Sequence, residues 1–150
     1  MPYVDNMDGN VRWWRMKGAG QNWNNDMPPA RFVKMTTYNL KRGKSSGFFR
    51  FWRNNVKLQK SLGYSGVSGV FMLQSGGQAF QVMEVEAYNS HAEGEGSIKN
   101  SDINYVEEYN KMFGWRSHRN DQAAYDAAIE QWGISIETAE LKPEMSSKLK

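Results

Sequence analysis

Glu84 and Glu86 stand two residues apart inside the apolar run "QAFQVMEVEAY". Carboxyls so placed either pair with cations or, when buried, hold their protons and work as general acids or bases. An extended chain puts Phe80, Val82, Glu84, Glu86 and Tyr88 on one side and Ala79, Gln81, Met83, Val85 and Ala87 on the other. Pairing with Lys34 or Arg31 is the favoured expectation for both glutamates. His118, in "WRSHRND", could serve as a base or as an axial haem ligand; the plain alternative is a surface imidazole. His91, Glu93 and Glu95 in "HAEGEG" alternate as divalent-ion ligands would, but no second histidine is near, so a solvated loop without a metal is expected. Catalytic candidates are therefore His118, Glu84 and Tyr88. Tyr38, Trp52, Phe80 and Tyr105 are the ligand-binding candidates. Gly66 and Gly69 lack the Lys-Ser/Thr signature of a phosphate-binding loop.

Composition bounds what these residues can belong to. A chain of 150 residues with 39% hydrophobic content is expected to fold as one domain with its own core. It has no cysteine, which excludes disulfides, thiolate metal sites and a cysteine nucleophile, and suits the cytoplasm. The N-terminus carries no apolar leader and no run is long enough to cross a bilayer, although a processed exported protein would read the same. A formal charge of +3 gives only a mild pull toward anionic partners, and neither nucleic acid nor membrane is favoured as a partner. The sequence names no cofactor.

The elements that must position the candidates follow from periodicity. Met1 to Pro29 has no sustained period and reads as an arm, with Trp13, Trp14 and Trp23 as anchors that dock on the body or on a partner. Arg12 and Arg15 beside Trp13 and Trp14 could make a stacking platform; a latch is the favoured reading. "RFVKMTTYNL" predicts the first strand of the body. Ser45 or Ser46 can cap a helix in which Phe48, Phe51, Trp52, Leu58 and Leu62 form one stripe, with Arg50, Arg53, Lys57 and Lys60 mostly off it. The spacing favours buried rings over a nucleic-acid grip.

"GVSGVFMLQ" and Gln78 to Tyr88 predict two strands joined by a hairpin at Gly76-Gly77. Asn89 to Asn100 reads as a loop. Asp102 can cap a helix ended by Gly114, and Asp121 a third helix carrying Tyr125, Ala128, Ile129 and Trp132, ended by Gly133. Ile134 to Leu141 predicts the last strand, and 143–150 a tail. The domain is thus expected over 31–142. Its strand–helix–strand–strand–helix–strand order predicts an α+β fold: the ferredoxin-like split βαβ, a four-stranded antiparallel sheet with helices on one face. The other face, with Met, Val, Phe and Tyr, needs a cover, and two such sheets can close on each other as a homodimer.

"TTYNLKRGKSSGFFRFW" followed by "GYSGVSGVFMLQSGGQAFQVMEVEAYNS" resembles the dimeric α/β-barrel superfamily over roughly Arg31 to Leu141. That resemblance, to antibiotic-biosynthesis-monooxygenase-like or NIPSNAP-like proteins, implies a small-molecule cleft between helices and sheet, and possible cofactor-independent monooxygenase chemistry on an apolar or aromatic compound. Two other classes compete: an RNA-binding module of similar strand order, and a non-catalytic assembly protein working through its arm. The third strand begins "GGQAF" and carries two glutamates, which argues against RNA.

Overall fold

The computed structural model describes residues 12–24, 26–75, 80–92, 96–98 and 102–142. Elements run β1 (Arg12–Arg15), β2 (Phe32–Leu40), α1 (Ser45–Ser61), β3 (Val67–Ser75), β4 (Gln81–Tyr88), α2 (Tyr105–Phe113), α3 (Ser117–Ala128) and β5 (Ile129–Glu140). The fold is α+β. The five strands among the described residues make one antiparallel sheet in the order β1-β3-β4-β2-β5. A strand inside the arm was not foreseen. Four residues are too few to show a period, and "RWWR" becomes a strand because it pairs with Phe71 to Ser75. The hairpin at Gly76-Gly77 lies outside the described residues.

The core forms on one sheet face. Tyr38 and Leu40 of β2, Val70 of β3 and Val82 of β4 pack against Phe48 and Phe49 of α1 and Ala128 of α3. Register explains this set: Tyr38 opposes Val82, Met72 opposes Val82, and Thr36 and Val70 both oppose Glu84. Residues that face one another across strands share a side. Phe48 stacks on Trp52 at 5.4 Å and on Tyr125 at 4.8 Å, and meets Tyr38 edge-on at 5.3 Å. The α1 rings are thus core, while Arg50, Arg53, Lys57 and Lys60 are exposed. At Gly47 the helices nearly touch: an added Cβ would lie 2.9 Å from the Ala124 Cβ.

Three expected helix caps are corrected. α1 begins after Lys44 with no side-chain cap, because a turn carrying Gly43 at φ 77° already ties Lys44 N–H to Lys41 O at 3.1 Å. α2 is capped by Asn104, whose side chain accepts from Glu107 N–H at 3.2 Å, and not by Asp102. Asp121 lies inside α3. Its carboxylate takes Arg50 Nε at 2.7 Å, Asn54 Nδ2 at 3.0 Å and the Tyr109 hydroxyl at 2.9 Å. Three donors from two other helices hold it there better than one cap bond would. Asn110 takes over at the head of α3, accepting from His118 N–H at 3.0 Å.

Two apolar expectations also change. α3 ends at Ala128 rather than Gly133, because Ile129 joins β5 opposite Leu40. The irregularity that follows puts Trp132 at φ 60° and leaves it 92% exposed. Phe80 precedes β4 at φ 64°, half-exposed, so it does not share the Val82–Glu84 face.

The opposite sheet face carries Val33, Met35, Phe71, Met83 and Val85. The arm crosses part of it. Trp23 meets Phe71 edge-on at 6.0 Å. Gly69 lets the indole approach, since a Cβ there would sit 3.2 Å from Trp23 Cε3.

Asp121 supports three helices at once, so Asp121→Ala should lower stability by about 3 kcal/mol, the scale for stripping a buried charged acceptor from its donors. Urea unfolding followed by circular dichroism measures this. Arg50→Ala, which removes a half-exposed partner, should cost about 1 kcal/mol or less.

Candidate functional site

Between α1, α3 and the core face of the sheet lies a cavity of about 230 Å³. Tyr38 and Glu84 rise from the sheet; on one face they are diagonal neighbours, since Tyr38 opposes Val82. Trp52, Asn55 and Gln59 reach in from α1, Tyr125 from α3 and Gln21 from the arm. Spacings of three and four along α1 put these residues on one flank, beside the core stripe.

Burial pushes the Glu84 carboxyl up to about 8, with the charge of Glu86 adding to it and Lys34 opposing it. Glu84 is therefore mostly protonated at neutral pH. Glu86 has another fate, an ion pair with Lys34 at 3.1 Å. The pairing expected for both glutamates thus holds for Glu86 alone. Arg31 pairs instead with Glu140, at 3.0 Å. The difference is one of position: Glu84 sits opposite Thr36 and Val70 under the helices, whereas Glu86 sits opposite Lys34 and Ser68.

Burial also raises Tyr38 far above the usual phenol range, helped by the neighbouring Tyr125 hydroxyl, and raises Tyr125. Both are neutral donors. Gln21 is 2% exposed and its backbone is tied to Ser68 in both directions, at 2.9 Å each way. Its Nε2 donates to Val56 O at 3.0 Å and Gln59 Oε1 at 2.9 Å, which leaves Oε1 buried without a partner. Trp52 Nε1 donates to Ala19 O at 3.0 Å. The arm therefore closes one end of the cavity through two separate contacts with α1.

Of the seven candidates drawn from the sequence, Tyr38, Trp52 and Glu84 meet at this cavity. Tyr105 stands one residue behind, its hydroxyl donating to Asn55 Oδ1 at 2.6 Å; burial pushes its pKa up to about 12, with Tyr64 adding to it. His118 packs behind the same wall, edge-on to Phe51 at 5.7 Å and to Tyr109 at 5.1 Å. Tyr88 is elsewhere, stacked on Phe32 at 5.5 Å near the end of β4, with His91 4.4 Å from Phe32. Phe80 lies beyond the other end of β4. Glu93 and Glu95 lie outside the described residues, and no described group of three His, Asp or Glu could hold a metal ion.

Gln21, Asn55, Gln59, Ser68 and Tyr125 were missed. Asn55 and Gln59 carried a signal, being amides four apart on a helix beside an aromatic stripe. Gln21 carried none, since only the course of the arm brings it there.

A second cavity, about 710 Å³, lies on the other face beneath the arm. Trp23, Met27, Pro28 and Pro29 roof it over Val33, Val67 and Ala87. It is larger, but among the described residues its one titratable group is Glu140, which Lys142 and then Arg31 hold below the usual carboxylate range. Chemistry is concentrated in the smaller cavity.

No family model matches the chain, and no curated protein matches it. Among solved structures, protein Atu4242 from Agrobacterium tumefaciens is similar at 19% identity and a TM-score of 0.43, over 79% of this chain and 99% of that one.

A raised carboxyl makes stability fall with pH. Folded Glu84 keeps its proton up to about 8, whereas the unfolded group loses it near 4.5. Its contribution is full below the unfolded value and is lost as pH rises through the folded one, with a slope of at most about 1.4 kcal/mol per pH unit. Glu84→Gln should abolish that descent. Its stability relative to the parent chain should therefore climb steadily from pH 5 to pH 8 in urea titrations; parallel curves would contradict the assignment.

Proposed function

We propose that this chain binds a small apolar or aromatic molecule in the cavity between α1, α3 and the sheet, and that Glu84 is its acid–base group. One observation carries the reading: a carboxyl pushed up to about 8 by burial faces a cavity walled by Tyr38, Trp52 and Tyr125. A group near neutrality can give up or take a proton without a large penalty either way. Taking a proton from a bound aromatic compound is a step that cofactor-independent, monooxygenase-like chemistry calls for. The volume suits a ligand smaller than a typical drug, for which cavities run from roughly 300 Å³ upward.

The order β3-β4-β2-β5 supports a ferredoxin-like split βαβ to which the arm has added β1 as a fifth strand. A barrel-type dimer, with two second faces closed on each other, would have to accommodate Trp23 and Met27 where they lie over the sheet. Small-molecule binding is favoured over RNA because β2 and β4 present Val33, Met35, Thr37, Met83, Val85 and Ala87 on the side away from the helices. None offers a ring for base stacking.

Protein-observed NMR titration of the isotopically labelled chain with a panel of small aromatic compounds tests the proposal. Binding should shift the Trp52 indole N–H, weaken at least tenfold in Trp52→Ala, and lose its pH dependence between 7 and 9 in Glu84→Gln. Binding confined to signals of Trp23 and Met27, or no binding at millimolar concentration, would refute it.

A further inference from the structure

β5 ends the sheet on the side away from β1, and no described strand pairs with its outer edge. It is 12 residues long and exposed along most of that length. Natural edges of this length are blunted by charged side chains, lysine above all, by proline or by a bulge. Here the irregularity comes before Ile134, and "ISIETAE" from Ile134 to Glu140 contains neither lysine nor proline. The charges on this stretch are Glu137 and Glu140, and Arg31 and Lys142 already hold the second. The side chains beside the edge are apolar and open: Ile134 is 49% exposed, Ile136 62% and Trp132 92%. Ile134 and Ile136 share a side, because they oppose Tyr38 and Thr36 of β2. An unpaired main-chain edge next to an apolar step is the surface that strand addition uses.

We propose that this edge pairs with the same edge of a second copy, antiparallel, about a two-fold axis at Ser135. The sequence of β5 is self-complementary in that register. Ile134 of each copy then faces Ile136 of the other, twice over, and Ser135 faces itself. Glu137 faces Gly133, so no like charges meet across the centre. Moving the axis to Ile136 would leave one isoleucine pair and set each Ile134 against Thr138. Moving it by half a residue would put isoleucines on opposite faces of the joined sheet. The ends agree in charge. Glu140 holds both Arg31, at 3.0 Å, and Lys142, at 2.7 Å, a cluster with one net positive charge. Glu130 of the second copy comes to that end of the strand. Such a pair needs neither the cavity nor a ligand.

The absence of cysteine makes the test clean. Residues directly opposite in an antiparallel pair have Cα atoms about 4.5 to 5.5 Å apart, within reach of a disulfide. The parent chain should run as a dimer by light scattering at 50 to 100 µM protein. Ser135→Cys should cross-link to a covalent dimer under mild oxidation, whereas Lys57→Cys on the exposed side of α1 should not. Ile136→Lys, at an exposed position, should keep its circular dichroism and raise the dimer dissociation constant at least tenfold. A monomeric parent chain overturns the proposal. So does a dimer that Ile136→Lys leaves intact, or one that Ser135→Cys cross-links no better than Lys57→Cys, because the copies would then meet elsewhere.

Discussion

Phe48 is the residue on which the arrangement turns. Its ring packs on Trp52, on Tyr125 and against Tyr38, with Trp52 and Tyr125 also meeting each other at 6.3 Å, so that one side chain of α1 joins α1 and α3 to β2. Aromatic stacks of this kind contribute through area removed from water and through ring orientation. The void beside them exists because large flat rings meet there with polar neighbours rather than aliphatic ones. Glu84, Gln21 and Ser68 occupy the floor and end of that void, where Leu or Met would have filled it.

The electrostatics follow from burial on that floor. Glu84 and Glu86 differ by one strand repeat, yet one is pushed up toward neutrality and the other is held by Lys34. A cation opposite Glu84 would have made an ordinary ion pair of it. Thr36 and Val70 stand there instead. The character of the site is thus set by what β2 and β3 fail to supply.

Much of this was legible in the sequence, for identifiable reasons. The α1 stripe, the β-branched and aromatic content of β2 and Gly114 as the end of α2 are local signals, and local physics decides them. Tyr38, Trp52 and Glu84 were found because polar or aromatic residues on a core-facing period stand out. What was illegible is non-local. Asp121 looks like a helix cap until Arg50, Asn54 and Tyr109 are brought to it across three helices. Trp132 fits a helical period and is released from it by the pairing of Ile129 with Leu40. Gln21 becomes a cavity wall only through the path of the arm. The β4 start was misplaced because alternation says nothing of a residue at φ 64°.

The two margins of the sheet are unlike. On one side the sheet ends in a strand of four described residues, whose exposed Arg12 and Arg15 flank its two tryptophans. Charge and brevity discourage any neighbour there. On the other side lies a margin of 12 residues whose only charges are the carboxylates of Glu130, Glu137 and Glu140. Under the proposed pairing, two copies joined along that flank would present only their short outer strands, growth would stop at two, and the exposed isoleucines that could seed a fibre would be consumed in closing the pair.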